Sequence, residues 1–298
     1  MTIVATVHLI DASPYIFRAY FAMPSDYTDA SGAEAGAVFG FASFLLRYLE
    51  QQRPTHIGVT FDESLNTSFR NEIYPDYKAQ RELPPPELEA QQKACQEAAR
   101  TLGCAAFVHD RYEADDLIAT LAAPLVKGGH EVVVVTSDKD LMQLVNESTR
   151  LFDFAKEAWY DEAGVLEKLG VRPSQVADFL GLAGDAVDNI PGVPKVGPKT
   201  ATALLDAFDD LEALYENLEG VAELPIRGAR TLAGRLSEFR DQAFLSRELA
   251  TVATDAPIPK SEGGVRGLKR KAPDLERVRT FFENLGSKGA VERVQALA

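Results

Sequence analysis

Three short apolar runs, each closing on an aspartate, constrain this chain more than any other feature. Residues 3–10 (IVATVHLI) lead to Asp11, residues 55–61 (THIGVTF) to Asp62, and residues 131–137 (EVVVVTS) to Asp138. Runs this short, β-branched and apolar throughout read as strands buried on both faces, and the long connections between them demand crossovers rather than hairpins. Those connections read as helices. Val38, Phe41, Leu45 and Leu49 lay one apolar stripe along residues 34–52; residues 87–102 are rich in helix formers and stop at Gly103; residues 113–127 form a third helix, interrupted by Pro124. The alternation predicts an α/β fold, a parallel sheet with right-handed crossovers. Ligands of such sheets bind outside the carboxyl ends of the strands, where all three aspartates stand. Helix capping accounts for one or two acids there, less readily for three.

The formal charge of −14 argues at first against a polyanionic partner, but it is unevenly spread. Residues 189–298 hold 16 basic and 16 acidic side chains, so the whole excess lies in residues 1–188. Six more acids join the three at the strand ends. Glu113, Asp115 and Asp116 open a helix, where the dipole favours carboxylates. Asp140 adjoins Asp138, and Asp185 and Asp188 share a face if their segment is helical. Gathered in one cleft, these acids cannot all stay ionised without counter-ions. An all-oxygen ligand set favours Mg²⁺ or Mn²⁺ over zinc. A calcium loop of the EF-hand type is excluded because Asp138-Lys139-Asp140 runs on into Leu141-Met142. A haloacid-dehalogenase phosphatase would need a second aspartate where Ser13 stands.

Two further segments suit nucleic acid. Gly192-Val193-Pro194-Lys195-Val196-Gly197 leads into a helix from about Pro198, so its amides, with Lys195, Lys199 and Thr200, are expected to grip a phosphate. An ordinary helical hairpin is the plainer reading, and attachment to Asp185 and Asp188 favours the phosphate. Between Asp62 and Glu87 lie 24 residues, beyond the ~12–15 of an ordinary loop. They interleave Phe69, Tyr74 and Tyr77 with Arg70, Lys78 and Arg81, a mixture that stacks bases and meets phosphates. The basic run Lys260, Arg266, Lys269, Arg270 and Lys271 reads as an exposed, solvated linker within residues 255–273. Cys95 and Cys104 are too few for a disulfide framework or a four-cysteine zinc site. The absence of an 18-residue apolar run and of a secretory start leads to the expectation of a cytoplasmic protein with no membrane partner.

Five segments together resemble a family: IDASPYIFRAYFAMP (10–24), FDESLNTSFRNEIYPDYKAQR (61–81), YEADDLIATLA (112–122), VVVVTSDKDLMQLV (132–145) and GLAGDAVDNIPGVPKVGPKTA (181–201). Their order is that of the 5′-nuclease superfamily, specifically the bacterial 5′→3′ exonucleases related to flap endonucleases, over most of residues 1–255. The resemblance implies a PIN-like parallel sheet flanked by helices, a helical arch over about residues 63–86, and a helix-three-turn-helix element that tracks duplex DNA. After residue 160 the sequence changes to helical segments and glycine-proline turns, which places a boundary near 170–190 and divides the chain into a nuclease domain at 1–175 and a DNA-binding region with C-terminal helices at 176–298. The resemblance assigns one divalent ion to Asp11, Asp62, Glu113, Asp115, Asp116 and Asp138, and a second to Asp138, Asp140, Asp185 and Asp188. Asp115, Asp138, Lys78 and Arg81 take catalytic roles, the last two with Tyr77 in a YKxxR pattern. Phe69, Arg70, Tyr77, Lys78 and Arg81, with Gly192, Val193, Lys195, Val196, Gly197, Lys199 and Thr200, contact DNA. A monovalent cation (K⁺) is implied at the glycine-rich turn. Leu180 stands where some phage relatives carry a lysine.

The implied activity is structure-specific hydrolysis of DNA next to a 5′ flap or end. One ion activates water and the other stabilises the leaving 3′ oxygen, in a nucleoid-associated monomer serving replication and repair. A junction-binding protein that does not cut, and a PIN-type ribonuclease, are the competing readings.

Overall fold

The computed structural model describes residues 4–24, 26–63, 67–226, 228–287 and 289–297. Six strands, β1 (Thr6–Asp11), β2 (His56–Asp62), β3 (Ala105–His109), β4 (Glu131–Val135), β5 (Thr149–Asp153) and β6 (Ala158–Tyr160), form one sheet ordered β3-β2-β1-β4-β5-β6. Every pairing is parallel except β5 with β6. The three expected strands are therefore its central ones. β1 begins at Thr6, and Ile3 lies outside the described residues. β4 ends at Val135, so Asp138 stands in the turn beyond its strand.

The helices follow in chain order as α1 (Ser13–Ala22), α2 (Gly36–Gln52), α3 (Phe69–Ile73), α4 (Pro86–Thr101), α5 (Ala114–Lys127), α6 (Glu162–Leu169), α7 (Val176–Ala183), α8 (Pro198–Phe208), α9 (Leu211–Glu216), α10 (Ala229–Glu238), α11 (Arg240–Ala250), α12 (Lys260–Gly263), α13 (Leu275–Asn284) and α14 (Ala290–Gln295). None is long and apolar enough to cross a membrane. Alternate strand residues face opposite layers. Ile10, Val59, Phe61, Val133 and Val135 pack with α1, α2, α4 and α13, where the expected stripe of Val38, Phe41, Leu45 and Leu49 is buried. Val7, Leu9, Val132 and Val134 pack with α5. On that second face the core runs on without a break to Val176, Leu180, Leu204 and Leu249. Each fully buried aliphatic side chain there contributes about 1.5–3 kcal/mol.

Two local features place the strand ends. A Cβ on Gly40 of α2 would stand 2.4 Å from the Ala19 Cβ, so only glycine lets α1 lie this close as it leaves β1. Pro124 does not interrupt α5. It falls in the last turns of a helix that continues to Lys127.

Residues 255–273 are not the solvated linker that their composition suggests. Leu268 is fully buried. The Ile57 amide donates to the Leu268 carbonyl (2.7 Å), Arg270 N–H to Thr55 O (2.9 Å), and Lys271 N–H to Gly103 O (2.9 Å). Backbone pairing, invisible in side-chain charge, seals this segment over the start of β2.

Candidate functional site

Asp11 closes β1 and is 4% exposed. Its Oδ1 accepts the Ser13 amide (3.1 Å) and its Oδ2 the Thr136 hydroxyl (2.8 Å). Asp62 closes β2; its Oδ2 accepts the Ser13 hydroxyl (2.5 Å) and its Oδ1 the Ala114 amide at the start of α5 (2.8 Å). Ser13 thus ties two strand ends together at the first residue of α1. Burial and the neighbouring Asp62 push the Asp11 carboxyl up to about 8, against the pull of Thr136. Burial, then the charges of Asp11, Asp138 and Asp62, holds Asp115 well above the carboxylate range.

The β4 side continues the pattern. Asp138 accepts the Asp140 amide (2.8 Å). Burial raises its carboxyl, the Asp140 amide opposes, and Asp188 adds to the rise. Burial and Asp138 push Asp140 to about 8, and its Oδ1 is buried without a hydrogen-bond partner. Five acids read from the sequence therefore meet at one edge of the sheet as a set short of positive charge.

The other four are already partnered. Arg70, 2% exposed, donates from Nη1 to Asp116 Oδ2 and from Nη2 to Asp116 Oδ1, both at 2.8 Å, and from Nη1 to Glu113 Oε2 at 3.1 Å. Asp116 also accepts the amides of Glu113 (3.1 Å) and Ala253 (2.8 Å). Glu113 receives the Tyr77 hydroxyl (2.9 Å) and the Lys78 ammonium. Burial works against the Glu113 charge, yet Lys78 and Arg70 outweigh it and hold the carboxyl below its usual range. Asp188 takes the Arg81 guanidinium and shares the single Tyr77 hydroxyl proton with Glu113, at 3.1 Å. Asp185 takes Lys139 Nζ (2.8 Å), which, against the cost of burial, lowers its carboxyl. Asp185 and Asp188 do not share a helical face. They sit in a tight turn closed by mutual hydrogen bonds between the backbones of Asp185 and Ile190 (2.9 and 2.8 Å).

Arg70, Tyr77, Lys78 and Arg81 come from the long segment after β2. Its residues 64–66 lie outside the described ones. From Thr67 onward it carries α3 and a run of turns laid across the acids. Lys78 N–H donates to Asp188 O (3.0 Å), Gln80 Nε2 to Val187 O (2.9 Å), and Asn189 Nδ2 to Asp76 O (2.6 Å). Lys78 holds φ +55°, a costly conformation for a side-chain-bearing residue. Two expected DNA contacts are corrected here. Arg70 and Tyr77 (3% exposed) are buried and committed to carboxylates, so neither offers a face to a base or phosphate. Phe69 is half-buried against the Tyr112 ring, with Arg70 over its face. Lys78, although paired with Glu113 and Asp188, keeps 12% of its side chain open to solvent, and Arg81 keeps 31% at the rim.

The glycine-rich turn is likewise divided. Gly192 has φ +59°, and a Cβ there would strike the Gly184 amide at 2.3 Å. Its N–H donates to Ser246 Oγ (3.0 Å), Val193 N–H to Leu182 O (2.8 Å), and Val196 N–H to Val193 O (3.0 Å). Both valine side chains are buried. Gly192, Val193 and Val196 therefore shape the turn and cannot donate to a phosphate. Lys195, Gly197 and Lys199 are exposed, with Thr200 half-buried, at the start of α8. The amides of Lys195 and Gly197 have no partner among the described residues.

Among the described residues no three acid, histidine or cysteine side chains converge closely enough to hold a metal as they stand. The donor set nonetheless fits a hard divalent cation: carboxylate oxygens only, with the carboxyls of Asp11 and Asp115 raised by burial and then by neighbouring charge, and a buried orphan at Asp140 Oδ1. Asp116 is the exception, because its oxygens already accept four donors. Ser13, Thr136 and Lys139 were not singled out from sequence. A hydroxyl two residues from a strand-end aspartate is the signal that was available for the first two.

Two family models match: 5′-3′ exonuclease, N-terminal resolvase-like domain, over residues 6–170, and 5′-3′ exonuclease, C-terminal SAM fold, over residues 171–276. DNA polymerase I of Bacillus subtilis (strain 168) is 40% identical over 96% of this chain, which spans 32% of that protein. The 5′-3′ exonuclease of Buchnera aphidicola subsp. Acyrthosiphon pisum is 34% identical over 85% of this chain and 88% of its own length. T5 5′-exonuclease, solved with divalent metal ions (zinc), superposes with TM-score 0.66 at 19% identity over 98% of both chains. The catalytic core of Rad2 in complex with DNA substrate gives TM-score 0.62 at 16% identity, over 99% of this chain and 91% of that one. At those identities the two structures establish a common fold.

Proposed function

Because the chain belongs to the 5′-3′ exonuclease family, we propose that it is a structure-specific DNA nuclease, cutting phosphodiester bonds at or near a 5′ end or flap beside duplex. The observation that carries this is the pairing of an undercompensated carboxylate cluster, centred on Asp11, Asp115 and Asp138, with the cationic rim of Lys78 and Arg81. Asp11, Asp62, Glu113, Asp115 and Asp138 would hold one divalent ion, and Asp138, Asp140, Asp185 and Asp188 a second. Mg²⁺ or Mn²⁺ bound there supplies charge neutralisation and activation of water. Asp11 and Asp62 are oriented for this by Ser13 and Thr136. Lys78 and Arg81 meet the scissile phosphate and offset its growing charge. Residues 176–298 form the duplex-facing region, with Lys195, Gly197, Lys199 and Thr200 as phosphate contacts and backbone carbonyls of the turn as a K⁺ site. The protein acts as a monomer in replication and repair at the nucleoid.

The test is cleavage of a labelled 5′-flap DNA, its blunt duplex and an RNA-flap counterpart, in Mg²⁺, Mn²⁺ and EDTA. Metal-dependent cutting near the branch point of the DNA flap is expected. Tight binding without cutting in either metal would favour a junction-binding protein, and preference for the RNA strand a ribonuclease.

A further inference from the structure

The buried arginine of the segment after β2 has a complete set of partners. Nε of Arg70 donates to Leu249 O (2.7 Å) and Nη2 to Thr251 O (2.9 Å), besides the bonds to Asp116 and Glu113. All five guanidinium N–H groups are thereby used, and Asp116, with no exposed surface, accepts four bonds in return. The pair joins three stretches far apart in sequence: α3, the first turn of α5, and the end of α11. Asp116 and Asp115 are successive residues of α5, and successive helical side chains point about 100° apart. Fixing Asp116 against Arg70 therefore fixes the rotation at which Asp115 faces Asp11, Asp62 and Asp138.

We propose that Arg70 and Asp116 are positioning residues of the nuclease, a clamp that sets Asp115 and Glu113 in place without touching DNA or metal. This rests on the nuclease reading and deepens it. Arg70 holds Glu113 directly, Glu113 holds Lys78, and the same guanidinium anchors the segment that carries Lys78 and Arg81 to the carbonyls after α11. A lysine at 70 has three donors for five acceptor positions and cannot fork onto Asp116, so the clamp loosens even though the charge is kept.

The experiment compares wild type, Arg70→Lys, Arg70→Met, Asp116→Leu and the Arg70→Met/Asp116→Leu double variant. It measures single-turnover cutting of a 5′-flap DNA at saturation, DNA affinity across salt, Mn²⁺ binding and thermal melting. Arg70→Lys is expected to slow cutting at saturation by about a hundredfold, the effect of displacing a catalytic group by about 1 Å, while DNA affinity stays within threefold of wild type and its salt dependence is unchanged. The double variant is expected to melt above either single variant, because removing both partners leaves no buried charge alone.

A salt slope reduced by about 1 with full cutting at saturation would overturn the clamp and make Arg70 a phosphate contact. Loss of a Mn²⁺ ion in Asp116→Leu but not in Arg70→Met would make Asp116 a ligand and overturn it equally. A double variant that melts below both singles would also count against it. Wild type that fails to cut would sink the nuclease reading alone. The clamp would then be decided by Mn²⁺ binding and by the melting comparison.

Discussion

The acidic cluster has two halves that the protein treats in opposite ways. The carboxyls of Asp11, Asp115, Asp138 and Asp140 are raised by loss of solvent and by neighbouring carboxylates, to about 8 for Asp11 and Asp140, although of the four residues only Asp11 is buried outright. A few residues away, Glu113 and Asp185 are held below their usual range by Lys78, Arg70 and Lys139. Both halves lie at the carboxyl edge of the same sheet, so burial alone does not separate them. What separates them is whether the fold supplies a counter-charge. It does so wherever the segment after β2 or Lys139 reaches, and leaves the strand-end acids to be completed from outside. On the proposed function, the unpaired half is where the divalent cation would bind, and the paired half is where the chain's own cations would meet a phosphate.

The largest effect that tests this division is a double readout on Asp115→Asn. Cutting is expected to fall on the order of a thousandfold, the scale seen when one preorganised electrostatic group is lost, with DNA affinity little changed. In EDTA the same variant is expected to melt above wild type, because one repelling charge has gone. A rate loss accompanied by a lower melting temperature in EDTA would mean that Asp115 is held by favourable contacts, and the division would fail.

Glu113→Gln should do the reverse in the absence of metal. It strips Lys78 and Arg70 of a buried partner, with side-chain exposures of 12% for Lys78 and 3% for Arg70. Breaking such a pair costs about 3 kcal/mol, read as a lower midpoint in urea in EDTA. A midpoint equal to or above that of wild type would place Glu113 with the unpaired acids.

The two halves also predict a pH dependence with a definite sign. A carboxyl whose folded pKa lies above its unfolded value of about 4 binds its proton more tightly in the folded state. Metal-free protein therefore loses stability from Asp11 and Asp140 as pH climbs from about 4 toward 8. Glu113 and Asp185, lowered when folded, act oppositely: their contribution is present above about 4 and is lost only on acidification. Mg²⁺ should consequently raise the melting temperature more at pH 8 than at pH 6. An equal rise at both, measured by calorimetry, would show that the unpaired acids do not take up the ion.

Part of this division was legible in the sequence and part was not, for reasons specific to the residues. The strand-end aspartates were readable because IVATVHLI, THIGVTF and EVVVVTS are continuous apolar runs whose ends are defined by the acid itself. β3, with AAFVH, and β5, with the alternating TRLFD, are too short and mixed to declare themselves and depend on the central strands for their pairing. Arg70 and Tyr77 looked like a nucleic-acid surface because composition reports charge and aromaticity but not depth. Their burial depends on Leu249 O and Thr251 O, 179 and 181 residues away in sequence, and on the turn at Asp188. Gly192, Val193 and Val196 misled for a related reason. A glycine-rich turn announces close backbone approach without saying whether the approaching group is a ligand or, as with Gly184 and Leu182, the protein itself.

The smallest effect gives the finest test, and it concerns the most exposed of the compensating cations. Lys139 has 46% of its side chain exposed and holds Asp185 at 2.8 Å. Lys139 is open to solvent but Asp185 is buried, so Lys139→Gln, which keeps a donor beside that carboxylate but not the charge, should cost about 1 kcal/mol and lower the melting temperature in EDTA only modestly. Its effect on Mn²⁺ is electrostatic and of known direction. Removing a positive charge beside Asp185 and Asp140 relieves repulsion of the ion and frees an oxygen, for a gain of about threefold in affinity at the attenuated strength of surface charges. The gain should shrink as salt rises, because the Lys139 ammonium lies at the surface. Mn²⁺ titration without DNA isolates this from any contact of Lys139 with a phosphate. Weaker Mn²⁺ binding in the variant would mean that Lys139 orients Asp185 for the ion rather than competing with it, and Asp185 would then belong with the unpaired half.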